Sequence, residues 1–237
     1  GAFDHAGGED APTFRLRELF TNIKAEHPGA VVQINHPRGA GGAALTLLKV
    51  DTATLASHGN PATYKMAPAP DATPGDTKVF SDGFDALETA TGPNGSYVVL
   101  NDWMTFLSRG TVRTTTGVSD THHTYSSSGG YARTYAKVGV DKPGDFAPAL
   151  FADAIRAHRA FVTNGPFLKC TARKLDGVGQ PVGPSVEVGD TLSLSPAAGE
   201  GIELTVDVQA PEWMAFDRVE LYSHAPGRDA VNGESNS

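Results

Sequence analysis

Asp120, His122 and His123 fall within four consecutive residues of the stretch TTTGVSDTHHTYSSSGGYART, which runs from Thr114 to Thr134. On an extended chain, residues two apart point to one face, so Asp120 and His122 aim at a common point while His123 faces elsewhere. A second imidazole, His36, ends the β-branched run AVVQINHPRG, where Pro37 has no amide to give to a strand ladder. Two imidazoles and one carboxylate form a donor set that holds a zinc-like ion and leaves one position for water. Such an ion lowers the pKa of that water from far above the neutral range towards about 7.

The plain alternative is a polar loop in which histidines sit together, since a D-x-H triplet also occurs by chance. What favours the metal reading is that both signals fall at the ends of separate strands, where the active sites of α/β barrels and open sheets gather. Ser119, Asp120 and His122 are the residue types of a nucleophilic triad, but they lie too close together and no G-x-S-x-G surrounds Ser119. Glu88, in ALETATG, suits a ligand, an acid/base group or a structural carboxylate. Arg133 and Asn164 suit either an anionic or carbonyl group of a substrate or the tying of loops. His5, His27, His58, His158 and His224 read as solvated or packing residues, and the single cysteine, Cys170, as a structural thiol.

These residues need elements to position them. Phe14, Leu16, Leu19, Phe20 and Ile23 are near helical spacing, and Pro28-Gly29 stops that helix. The Gly-, Ala- and Pro-rich stretch from Gly39 to Gly83 carries one helix near Leu45 to Leu55 and is long enough to be a lid or insertion. GFDALETATG then predicts a strand, YVVLNDWMTFLSRG a helix closed by Gly110, and TVRTTTGVSD a strand running into the D-x-H. YARTYAKVGV, DFAPALFADAIRAHRA and FVTNGPFLKC continue as strand, helix and strand, an alternation that argues for an α/β sheet or barrel. Beyond Cys170, SVEVGDTLSLSP, GIELTVDVQA and FDRVELYSH alternate without helices, as in a small all-β, sandwich-like appendage. Residues 1–168 therefore read as an α/β domain and 169–237 as a β-sandwich-like one, incomplete or leaning on the first.

The 237 residues can bury a sizeable core, and a net charge of −8 with no basic stripe argues against nucleic acid as a partner. No stretch approaches the roughly 20 apolar residues of a membrane span, and the N-terminal stretch is no signal peptide. The compartment stays open, a periplasmic or secreted location being compatible with a signal peptide removed upstream.

In order, VVQINHPRG, FDALETATG, DWMTFLSRG, VRTTTGVSDTHH, ARTYAKV and AIRAHRAFVTNGPFL resemble the PHP-domain metal-dependent hydrolases, most of all their CehA/McbA-type branch. The resemblance covers about Ala30 to Leu168 apart from the variable stretch Gly39 to Gly83. It implies a distorted (β/α)7 barrel with a divalent metal cluster (Zn, Mn or Fe) and hydrolysis of a phosphoester or a carboxyl or carbamate ester in a small-molecule substrate. It further implies His36, Asp120 and His122 as ligands, Glu88, His123 and Arg133 in the catalytic pocket, and Arg38, Asn101 and Asn164 around the substrate.

The chain departs from that family in one respect: no H-x-H occurs in it, and the family's first motifs precede the NHP strand. The expectation is thus a C-terminal part of the barrel, whose exposed edge is covered by the missing N-terminal half or by a second copy in a homo-oligomer. A different class of protein, a non-catalytic α/β plus β-sandwich binding module with an incomplete metal site, is the alternative.

Overall fold

The computed structural model describes residues 15–39, 43–91, 97–125 and 129–222. His5, Phe14, the serines of the Ser/Gly loop, His224 and the polar tail lie outside these described residues.

Helix α1 (Leu16–Glu26) buries Phe20 and rests Leu16 and Ile23 against the core. Glu18 in its first turn and Lys24 in its last suit the helix dipole. Lys24 Nζ lies 2.7 Å from one oxygen of Asp85, whose other oxygen accepts the Val32 amide at 2.9 Å, so one carboxylate fastens α1 to the sheet.

That sheet is parallel, in the order β1 (Gln33–Ile34), β2 (Ala86–Thr91), β3 (Thr114–Val118). Parallel neighbours need crossovers. The first passes through the single turns α2 (Ala44–Leu47) and α3 (Pro61–Tyr64), the second through α4 (Tyr97–Ser108), which Gly110 closes at φ 79°. The helix expected over Leu45 to Leu55 is only α2. Lys49 turns left-handed at φ 47°, Asp51 diverts the backbone by accepting the Ala53 amide, and the chain returns through a Val50–Ser57 bridge.

The core beneath the sheet combines aromatic and aliphatic side chains. Phe84 meets Phe20 and Phe106 edge-on, with centroids 6.1 and 5.4 Å apart, and Leu45, Leu48, Val79 and Leu87 fill the space between. Each such aliphatic side chain contributes about 1.5–3 kcal/mol by leaving water.

Strands β4 (Arg133–Ala136) and β5 (Ala160–Thr163) flank helix α5 (Pro148–Arg156) and pair antiparallel, forming a separate two-stranded ribbon. The ribbon lies against β3 at Gly117, where a Cβ would sit 2.6 Å from Val162 and 3.1 Å from the Arg133 amide nitrogen. The Thr134 hydroxyl accepts the Gly117 amide at 2.9 Å and donates to the Gly117 carbonyl at 3.1 Å. A side chain thus replaces a ladder rung, and glycine permits the approach.

The chain then forms an antiparallel sheet in the order β7-β6-β8, from β6 (Phe167–Leu175), β7 (Pro181–Glu187) and β8 (Gly201–Gln209). β6 and β8 stay in register from Phe167 against Gln209 to Leu175 against Gly201. FDRVELYSH alternates like a strand, yet 216–222 forms none; Val219 and Leu221 are 58% and 59% exposed. Alternation supplies a face, but a strand also needs a ladder partner. The architecture is α/β with an antiparallel sheet following. Among the described residues, no helix is long and apolar enough to cross a membrane.

Candidate metal and acid/base site

β2 carries Glu88 among buried neighbours, with its side chain sealed from solvent. An ionised carboxylate there needs partners, and His36 provides two. The His36 amide donates to Glu88 Oε2 at 3.2 Å, and His36 Nδ1 lies 3.0 Å from Oε1, which also accepts the Thr91 hydroxyl. The register of β2 against β3 shifts between Glu88 and Ala90, an irregularity of the kind that re-aims side chains beside sites.

With its Nδ1 proton assigned to Glu88, His36 presents the Nε2 lone pair outward. Nε2 faces Asp120 Oδ1 at 3.6 Å, and the same oxygen lies 2.8 Å from His122 Nε2. Glu88 within β2, His36 just past β1, and Asp120 and His122 just past β3 therefore stand in a row, with the 3.6 Å step from His36 to Asp120 left open. From Glu88 through His36 and Asp120 to His122 the side chains are 0%, 49%, 38% and 74% exposed, a buried carboxylate at one end and an open imidazole at the other.

Both strand exits are conformationally unusual. His36 and Asp120 take φ of 45° and 52°, and His36 does so directly before the buried Pro37, where the helical regions are disfavoured. Left-handed non-glycine residues cost about 1–3 kcal/mol and persist where surrounding contacts hold them. Here the Glu88 bonds hold His36.

The other sequence-derived candidates are placed as follows. Arg38 Nε and Nη2 make a fork on Asp102 of α4 at 2.7 and 2.9 Å, while Nη1 and Nη2 donate to the carbonyls of Leu45 and Val50 at 3.2 Å. Its guanidinium is thereby spent on pinning the turn that follows His36. Asn101 is exposed on α4 and its carbonyl accepts the Thr105 hydroxyl. Asn164 Oδ1 accepts the Ala132 amide at 2.8 Å and ties the entrance of β4 to the exit of β5. Arg133 Nη2 approaches the Asn164 carbonyl at 3.5 Å, and its buried Nε has no partner among the described residues. His123 is exposed and stacks on Tyr125 at 5.8 Å.

Sequence reasoning passed over Thr91, Asp102 and the Gly117–Thr134 weld. Only Gly117 carried a signal, a glycine inside a β-branched run.

The donor set suits a divalent cation in type and in spacing. Adjacent ligand atoms in a tetrahedral zinc site with bonds of about 2.0–2.1 Å are roughly 3.3 Å apart. The 2.8 and 3.6 Å separations around Asp120 Oδ1 bracket that value. The 3.6 Å gap is too long for a hydrogen bond. As arranged, however, no three His, Cys, Asp or Glu side chains among the described residues form a ready-made metal cage. The Asp120–His122 contact would have to open for an ion to enter. No family model, no curated protein and no solved structure matches this chain.

Proposed function

We propose that this chain carries part of a PHP-type metal-dependent hydrolase of the CehA/McbA branch, its α/β portion being a segment of a distorted (β/α)7 barrel. The observation that carries the reading is the meeting of His36, Asp120 and His122 at the ends of parallel strands, with Glu88 fixing one imidazole from behind. His36 through Nε2, His122 through Nε2 and Asp120 through Oδ1 would hold one Zn, Mn or Fe ion. When bound, the ion supplies Lewis-acid polarisation of the scissile bond and an acidified water.

The chain's own residues do the rest. Glu88 keeps the His36 proton on Nδ1 and leaves Nε2 free, as carboxylate partners of ligating histidines do elsewhere. Asp120, partly exposed, keeps its second oxygen available to take a proton from an attacking water. In this reading Arg133 and His123 would act on an anionic phosphoester or a carboxyl or carbamate ester. Protein loaded with Mn or Zn should hydrolyse a chromogenic phosphate monoester, diester or carboxyl ester, and His122→Ala should abolish it. Unchanged hydrolysis in that variant, or none with any of the ions, contradicts the reading.

One observation favours a second reading. No H-x-H is present and no ready-made cage forms among the described residues, as fits a binding module of α/β and β-sandwich type. Such a module would bind a small molecule without turning it over.

A further inference from the structure

Strand β6 is paired along only part of one side. β8 accompanies it from Phe167 to Leu175, but β7 meets it only from Thr171 onward, so residues 167–170 have no ladder partner on the β7 side among the described residues. A turn leads β7 away. The Asp190 amide donates to the Glu187 carbonyl and the Glu187 amide to Asp190 Oδ2, both at 3.0 Å. Gly189 takes φ 94° within that turn, where a Cβ would lie 2.5 Å from the Ala157 carbonyl oxygen.

A cavity of about 340 Å³ opens beside the vacated row. Successive side chains of a strand point to opposite faces, yet all four of residues 167–170 line the cavity, so what meets it is the backbone edge of β6. The wall beside that edge is aromatic. Tyr135 and Phe161 stack at 5.3 Å, Phe167 sets its edge against both, and Tyr135 and Phe167 remain 39% and 42% exposed.

The rim carries no charge to select an ion. Lys137 is paired with Glu187, Arg159 faces Asp190 at 3.6 Å, and Lys169 stands in register opposite Asp207 of β8. A plain hydrocarbon does not suit the site either, because it would cover the amides and carbonyls of the edge without pairing them.

We infer that the vacated row binds an extended, uncharged apolar peptide, which adds to β6 where β7 leaves off and seats one large side chain against the Tyr135–Phe161–Phe167 wall. Main-chain hydrogen bonds hold such a segment, and the pocket selects the side chain. Four residues of edge span about 13 Å. At roughly 30 Å³ per heavy atom the cavity takes about eleven non-hydrogen atoms, one phenylalanine residue with its backbone. The site is independent of the hydrolase reading, and its test needs no activity.

The probe is an acetylated and amidated Val-Phe-Val peptide, titrated into the full chain by calorimetry. At roughly ten times its Kd, the amides within residues 167–170 that face the row should exchange hydrogen about tenfold more slowly, because only the unoccupied fraction is open. The same peptide methylated on every backbone nitrogen should bind about tenfold more weakly or not at all, and an equivalent Val-Asp-Val peptide should not bind. Tyr135→Asp, a change on the exposed wall, should weaken binding of the first peptide while keeping the parent circular dichroism. No binding of the first peptide, equal binding of its methylated form or of Val-Asp-Val, or protection that leaves residues 167–170 unchanged would overturn the inference. So would protection of these residues that grows with protein concentration alone, since a second copy would then be the occupant.

Discussion

Glu88 grips His36 twice, taking the backbone amide on one carboxylate oxygen at 3.2 Å and the imidazole Nδ1 on the other at 3.0 Å. A buried carboxylate on the central strand thereby fixes both the backbone and the ring of a residue on the neighbouring strand's exit. The left-handed conformation of His36 and the outward aim of its Nε2 follow from that grip. Because the Glu88 side chain is shut off from water, its hydrogen bonds are made in a low-dielectric setting where they orient strongly.

Replacing Glu88 with Gln keeps the volume but offers an amide that can donate where the carboxylate only accepts. The Nδ1 proton then loses its fixed acceptor and the Nε2 tautomer is no longer set. Affinity for Zn, read by competition with a chromophoric chelator, should weaken about 10–100-fold. An unchanged affinity would show that His36 needs no such partner.

Arg38 is expected to act through stability. Its fork on Asp102 joins the turn after His36 to α4, and Asp102 is 7% exposed. Arg38→Ala would leave that carboxylate buried without its cation and should cost about 3 kcal/mol in urea unfolding. Lys cannot reproduce the fork, so Arg38→Lys should recover only part. A loss below about 0.5 kcal/mol would remove the clamp from the account.

His158 gives the fold a pH dependence away from the site. Burial, reinforced by the nearby Arg113 charge, holds its pKa below the usual 6.5, and Nδ1 lies 2.9 Å from the Thr114 hydroxyl, which itself donates to the Ile155 carbonyl. The unfolded chain takes up a proton at His158 before the folded chain does. Its contribution to stability is therefore complete above 6.5 and is lost as pH falls from there through the lower folded value. Unfolding midpoints between about pH 7 and pH 5 should fall more steeply in the parent than in His158→Gln. Parallel slopes would exclude the residue as a source.

That a histidine follows β1 and a D-x-H follows β3 was legible because each lies just past a β-branched run, whereas the Asp120–His122 contact comes from a left-handed turn at Asp120 outside β3 and not from strand periodicity. The α/β alternation was legible through the 3.6-residue pattern of α1 and α4. Pairings across long separations were not. Glu88 lies 52 residues from His36, and Asp102 lies 64 from Arg38, so only the register of β1 against β2 and the packing of α4 bring them together. The antiparallel β4–β5 ribbon was missed because pairing direction leaves no trace in a four-residue run. The segment 216–222 was overread because alternation says nothing of whether a ladder partner is at hand.

The central claim is that His36, Asp120 and His122 share one divalent ion. Calorimetric titration of chelator-treated protein with Zn or Mn, for the parent and for His122→Ala, reads it directly. The account predicts one equivalent bound by the parent near neutral pH and loss of the site in His122→Ala. No binding by the parent, or an isotherm unchanged in the variant, would contradict it.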